Sequence, residues 1–124
     1  MKTLFALLFS ISIISGCKNA SHSNLNENLK ITNEFIDAFY SFDKDSLQSI
    51  LSQADETKLE ILYYQEWAEC VNYEIIDRHE CIGINDSLFK CPITVKDDLI
   101  GALQIDFNVT DTFHLIIVNQ QIRY

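Results

Sequence analysis

The chain has 124 residues, with 9 basic against 18 acidic side chains and a formal net charge of −9. This length is enough for one domain. Because the acidic excess repels phosphate backbones, binding to nucleic acid is not expected.

The first residues follow the pattern of a secretory signal peptide. Met1-Lys2 gives a basic start, an apolar run extends from Leu4 to Ile14, and small residues precede Cys17. The apolar run is only about half the ~20 residues that a membrane-spanning helix needs. A signal cleaved elsewhere, which would leave Cys17 as an unpaired thiol, and an uncleaved anchor helix are the alternatives.

Ile14-Ser15-Gly16-Cys17 resembles the lipobox of bacterial lipoproteins. The resemblance implies that residues 1–16 are removed and that Cys17, now the first residue, carries a diacylglyceryl group. Each buried methylene of such chains contributes about 0.8 kcal/mol, and two or more chains hold a protein on a membrane. Cleavage removes 16 of the 124 residues and one charge, Lys2, so the mature chain has 108 residues and a net charge of −10.

This interpretation predicts a protein of the bacterial cell envelope whose membrane partner is reached through the lipid on Cys17. Lys18 follows the lipidated residue where some Gram-negative bacteria place an Asp for inner-membrane retention, which favours the outer membrane where there is one. Residues 17–27 are polar and without periodicity, and they are predicted to form a flexible tether. The folded domain is then predicted over residues 28–124.

Helical periodicity dominates the first part of this domain. Apolar residues recur at spacings of three and four through residues 29–42, which predicts an amphipathic helix. A short second helix is predicted after Asp43. A third follows Asp55, with an apolar side that ends at Cys70.

From residue 73 the pattern becomes that of β-strands. Short polar turns such as Thr110-Asp111 separate runs rich in Ile, Val, Phe and Thr. The four predicted strands are Tyr73–Ile84, Leu88–Lys96, Leu99–Val109 and Phe113–Ile122. Strict alternation in the third strand predicts a buried face formed by Leu103, Ile105, Phe107 and Val109.

The predicted fold class is therefore α+β, with three N-terminal helices packed on one side of a curved, four-stranded antiparallel meander. The segment Asn33–Leu47, with its Asp-containing break between helices, and the amphipathic hairpin Leu99–Ile122 resemble the NTF2-like superfamily, also called SnoaL-like or cystatin-like. The resemblance covers residues 28–122 and implies a cone-shaped fold. One departure is that the family often inserts a strand pair before its third helix, where residues 52–58 are too few for one.

Three cysteines remain in the domain of an exported chain, where disulfides can persist. Cys70 and Cys81 are separated by a strand of roughly 26 Å, well beyond the ~7 Å that a disulfide allows between Cα atoms. Cys81 and Cys91 flank a hairpin turn and can pair if the loop has three residues, whereas a two-residue loop puts them on opposite faces. Otherwise both are small buried thiols. Cys70 is predicted to be a buried thiol, and no Cys spacing indicates a metal site.

No nucleophile motif and no phosphate-binding glycine loop occurs in the sequence, so no catalytic residue is assigned and no cofactor is implied. His79 and His114 lie on predicted strands about 14 Å apart, too far for a shared metal or hydrogen bond. An NTF2-like dehydratase or isomerase would need only one buried acid–base group. The candidates are Glu34, Asp37, Asp77, His79, Glu80, Asp106 and His114.

Aromatic residues of the helices are predicted to line the space between helices and sheet, namely Phe35, Phe39, Tyr63 and Trp67. These rings can form a simple core or a partly open apolar pocket. We therefore weigh three functions: a membrane-anchored, non-catalytic module that binds or scaffolds an envelope protein, a binder of small apolar ligands, and an isomerase or dehydratase. The first is favoured.

Overall fold

Residues 19–124, the part of the chain that the computed structural model describes, form helices first and an antiparallel sheet afterwards. The helices are α1 (Asn19–Tyr40), α2 (Lys44–Ile50), α3 (Lys58–Cys70) and α4 (Asp98–Ala102). The strands are β1 (Glu74–Arg78), β2 (Ile82–Gly83), β3 (Leu88–Lys96), β4 (Val109–Val118) and β5 (Gln121–Arg123). This order confirms the α+β class.

Helix α1 begins earlier than predicted, because residues 19–27, assigned from the sequence to a flexible tether, are helical. Leu25 packs against the core. The side chain of Asn28 donates to the carbonyl of Asp86 (3.1 Å), and that of Gln120 donates to Glu27 (2.8 Å). Such long-range contacts override weak local helix propensity, which is why the composition of this segment was misleading.

The ends of α1 and α2 are set by local hydrogen bonds. Phe42 adopts a left-handed backbone (φ 58°), and the amide of Asp43 donates back to the carbonyl of Ala38, which closes α1. The Asp43 carboxylate then accepts from the backbone N–H of Ser46 (3.0 Å) and caps α2. This backbone hydrogen bond holds the pKa of Asp43 below its usual range.

Helix α3 is fastened to the end of α1 by one buried polar side chain. The amide of Gln65 donates to the carbonyls of Ala38 (3.0 Å) and Phe39 (3.2 Å). Ile61 and Ala68 lie on the same buried side of α3. The inner face of this helix is therefore the one centred on Gln65.

The sheet has the order β1-β3-β4-β5 with all pairs antiparallel, and β2 pairs with β3 beside β1. Strands β3 and β4 share a long register from Leu88↔Ile116 to Val95↔Val109. Alternate residues of both strands face the helices and are buried, namely Phe89, Cys91, Ile93, Val95, Phe113, Leu115 and Ile117. With α1 they enclose the hydrophobic core.

The third predicted strand is wrong. Residues 98–102 form α4, whose first turn is capped by Asp97 accepting from the N–H of Ile100 (2.6 Å), and no strand occurs between α4 and Val109. Because β4 pairs directly with β3, residues 97–108 serve as the connection between them. Its alternating residues are exposed, with Leu103 at 61%, Ile105 at 52% and Phe107 at 56%.

Two other predicted strands are divided. The first becomes β1 and β2 with a break after Arg78, and the last becomes β4 and β5. Asn119 and Gln120 both adopt positive φ (52° and 61°), as a two-residue hairpin turn requires. Asn tolerates this backbone better than most residues, but Gln gives no such signal.

Candidate functional site

The described residues contain three cysteines, which lie at the end of α3 (Cys70), between β1 and β2 (Cys81) and in β3 (Cys91). Cys81 and Cys91 form a disulfide with a Cα–Cα distance of 4.2 Å, and it closes a loop with a sequence separation of 10 residues. A loop of that size contributes about 2–3 kcal/mol in the chain-entropy treatment. Cys70 is a free, exposed thiol rather than the buried one predicted from the sequence. Cys17 lies outside the described residues.

The predicted acid–base candidates are scattered and exposed. Asp37 forms an ion pair with Arg78, and Glu34 and Asp37 line an open cleft of about 380 Å³ between α1 and α2. His79 contacts Thr94 (Nε2–Oγ1 3.1 Å), whereas His114 lies opposite Lys90 in the β3–β4 register. The others, Asp77, Glu80 and Asp106, are also exposed. The structure does not gather these residues into one site.

The four residues predicted to line a pocket divide into two groups. Phe35 and Phe39 are completely buried and fill the core. Tyr63 is 71% exposed and Trp67 is 45% exposed, so neither faces the core as the sequence predicted. The reason is helical phase: the buried side of α3 is centred on Gln65, and Tyr63 lies about 200° away from it at 100° per residue.

The polar group that does lie at the inner face is a tyrosine–aspartate pair. Tyr64 Oη donates to Asp111 Oδ2 at 2.6 Å. Asp111 is opposite Ile93 in the β3–β4 register and is half-buried. Because Ile93, Phe113 and Leu115 face the helices, Asp111 lies on the same side of the sheet.

Phe113 forms the centre of an aromatic cluster beside this pair. Its ring lies 5.0 Å from that of Phe39 and 5.3 Å from that of Phe35 between centroids. Further rings at 6.2 Å belong to Tyr40, Tyr64 and Tyr124. The cluster therefore joins α1, α3 and the last residue of the chain to β4.

Burial and the Asp111 charge together shape the titration of three tyrosines. Burial raises the pKa of Tyr40, with the Asp111 charge adding to it. Burial also raises the pKa of Tyr64, and the hydrogen bond to Asp111 acts in the same direction. The pKa of Tyr73 is raised by burial and by Asp111 and Asp97. The phenols of Tyr40, Tyr64 and Tyr73 are thus held in the neutral form.

A small cleft opens beside the pair. Its volume is about 210 Å³, and its lining residues are Tyr64, Asp111, Thr112, Phe113 and Tyr124. Nearby, the hydroxyl of Tyr40 is buried and has no hydrogen-bond partner among the described residues. At this end of the core, aromatic rings therefore lie beside polar groups whose hydrogen-bonding capacity is only partly used.

Sequence reasoning missed Asp111 because Thr110-Asp111 resembles a turn. One signal could have located it: Asp111, Phe113, Leu115 and Ile117 follow one another at a spacing of two, which continues the apolar face of β4 into a carboxylate. Tyr64 is the direct neighbour of Tyr63, which was predicted to line the pocket, and periodicity alone does not distinguish the phases of adjacent residues.

A second feature of α3 is its exposed apolar side. Leu59, Tyr63 and Trp67 are 76%, 71% and 45% exposed. Their spacing of four residues places them in one row along the helix. We call this row the α3 stripe.

Trp67, the C-terminal residue of the α3 stripe, packs against the rest of the domain. It stacks on Tyr64 with centroids 6.1 Å apart and an interplanar angle of 21°. It also meets Tyr73 edge-on at 5.4 Å. The large ring is therefore held in one orientation while nearly half of it contacts solvent.

Among the described side chains, those of residues 24–124, no three His, Cys, Asp or Glu residues converge as a metal site would require. Within residues 19–124 no helix combines the length and apolar character needed to cross a membrane. Among known proteins, no family model matches the chain and no curated protein shows significant sequence similarity to it.

Proposed function

We propose that this protein is a lipid-anchored, non-catalytic binding module of the bacterial cell envelope, held at the membrane by Cys17 and docking a partner protein through the α3 stripe. The lipobox resemblance supports the anchor. The observation that carries the docking function is the row of three large apolar side chains exposed along one helix.

The chemistry of the α3 stripe suits a protein interface. Single exposed apolar residues are ordinary, but contiguous rows mark interaction sites. Tyr and Trp are the residues that most often dominate binding energy. Because Trp67 already packs against Tyr64 and Tyr73, docking does not have to order its ring.

The charges around the α3 stripe indicate the kind of partner. Glu56, Glu60, Glu66 and Glu69 are exposed on or next to α3. Lys44, which forms an ion pair with Glu66, and Lys58 of α3 offset two of these four charges, so the rim of the stripe stays acidic overall. We therefore propose a partner surface with an apolar centre and a basic rim, since complementary charge steers association and selects partners.

At the level of fold family, we propose an NTF2-like domain. Helices that precede an antiparallel sheet, and an aromatic inner face centred on Phe113, support it. The segment 99–109 is a connection with α4 instead of the first strand of a long hairpin, so this part of the resemblance has to be given up.

The packing of the core argues against binding of an apolar ligand between the helices and the sheet. Phe35, Phe39 and Phe113 fill that space and are 0–2% exposed. A ligand of typical size needs a cavity of roughly 300–1,000 Å³ lined by apolar side chains. Of the aromatic residues predicted to line such a pocket, Phe35 and Phe39 belong to the core, whereas Tyr63 and Trp67 are exposed.

Site-specific photocrosslinking in cells tests the docking proposal. A benzophenone side chain at position 63 is expected to crosslink to one dominant partner protein. The crosslinked surface of that partner should have an apolar centre and a basic rim. Leu59→Ser with Trp67→Ser is expected to weaken that association by at least tenfold, because truncated anchor residues cost about 2 kcal/mol or more. Added salt should reduce the adduct further.

A matched control comes from the connection between β3 and β4. Leu99 and Leu103 are 63% and 61% exposed, so Leu99→Ser with Leu103→Ser removes a comparable amount of exposed apolar surface. This variant should keep the adduct at position 63. A specific α3 interface would be contradicted if both double variants lost the adduct equally, or if a benzophenone at position 103 crosslinked as well as one at position 63.

A further inference from the structure

We propose that Asp111 and the rings of Tyr64, Phe113 and Tyr124 form a binding site for a small organic ammonium ion. This inference does not depend on the lipid anchor or on docking through the α3 stripe. It rests on the cleft beside the Tyr64–Asp111 hydrogen bond.

The carboxylate of Asp111 has unused capacity. Its hydrogen bond comes from Tyr64, and among residues 24–124 no Lys, Arg or His forms an ion pair with it. A carboxylate has two oxygens that together accept about four hydrogen bonds. A half-buried charge with one neutral donor is stabilised by a cation that enters the cleft.

The walls of the cleft are suited to an organic cation. Tyr64, Phe113 and Tyr124 line the cleft together with Asp111. Tyr64 and Tyr124 each lie 6.2 Å from Phe113 between ring centroids. A cation within about 6 Å of aromatic faces is attracted by their quadrupoles, and alkylated ammonium ions are bound in this way. Thr112 completes the lining.

The donor set and the size define the ligand class further. One carboxylate among aromatic rings does not provide the six or more oxygens that Ca²⁺ or Mg²⁺ takes. The cleft volume of about 210 Å³ is below the roughly 300–1,000 Å³ of a typical ligand pocket, so it restricts the ligand to a small group. A methylated ammonium group fits this space, whether it belongs to a free amine or to a phosphocholine headgroup.

Titration of the mature chain carrying Cys17→Ser with tetramethylammonium, followed by NMR, tests the site. We expect saturable shifts at Tyr64, Thr112 and Tyr124, and none with tert-butanol, a neutral molecule of similar shape. Asp111→Asn should weaken binding about tenfold, because the amide keeps an acceptor for Tyr64 but lacks the charge. Asp106→Asn removes the same charge from an exposed loop and should leave binding unchanged.

Tyr124→Leu provides an independent variant that removes one wall at a residue 44% exposed and is expected to weaken binding about threefold. Phosphocholine binding more tightly than tetramethylammonium would identify a headgroup as the source, and the reverse order a free amine. The site is refuted if tert-butanol binds as well as tetramethylammonium, if Asp106→Asn acts like Asp111→Asn, or if no saturable shift occurs.

Discussion

Replacing Phe113 with alanine is expected to lower the free energy of unfolding by about 4 kcal/mol. Truncation of a buried aromatic ring usually costs about 3–5 kcal/mol, because the cavity it leaves closes only partly. Phe113 is 2% exposed and contacts rings from α1, α3 and Tyr124, so its removal leaves several elements without their common partner. Such a loss is a large part of the ~5–15 kcal/mol that holds a domain folded.

Phe107→Ala is the matched control for this experiment. Phe107 was predicted to face the core, but its side chain is 56% exposed in the connection before β4. Its truncation is expected to change stability by less than about 0.5 kcal/mol. Urea unfolding followed by Trp67 fluorescence measures both variants. Equal losses would mean that residues 103–109 form the buried strand that their alternation predicts.

Alkaline pH is expected to destabilise the protein through its buried tyrosines. Burial raises the pKa values of Tyr40 and Tyr64 in the folded state, whereas an unfolded tyrosine titrates near pH 10. Their contribution to stability is complete below about pH 10 and is lost as the pH rises further, because only the unfolded chain then releases the protons. The two residues together should cost about 3 kcal/mol by about pH 11.

Tyr64→Phe isolates this effect. Above about pH 10 the variant should lose stability with roughly two-thirds of the steepness, since one of the three phenols with a raised pKa is absent. The measurement is urea unfolding at each pH in a Cys70→Ser background, which prevents the exposed thiol from attacking the Cys81–Cys91 disulfide. An unchanged slope in Tyr64→Phe would contradict the burial of its hydroxyl at Asp111.

The fold class could be predicted because helical spacing in residues 29–42 and strand spacing in residues 88–96 agree with their final environments. Residues 103–109 alternate just as regularly and yet form no strand before Val109. Strand periodicity requires a neighbouring strand as well as a pattern, and the direct pairing of β3 with β4 leaves no position there. The identity of the neighbour is a tertiary property that no local window contains.

The candidate site was harder to predict than the fold, because it depends on the helical phase of α3 and on the register between β3 and β4. Tyr64 and Tyr63 are adjacent on α3, but Tyr64 donates a hydrogen bond to Asp111 whereas Tyr63 is exposed. In the same way, Asp111 reaches the inner face only through its pairing with Ile93. Periodicity locates an apolar helix face to within about one residue, which is too coarse to select between adjacent tyrosines.

The mass of the mature chain isolated from the cell envelope tests the central proposal most directly. A lipid-anchored protein should begin at Cys17 and carry acyl chains on it, and Cys17→Ser should release the domain from the membrane fraction. A mature chain that begins elsewhere, an unmodified Cys17, or a Cys17→Ser variant that still sediments with membranes would contradict it.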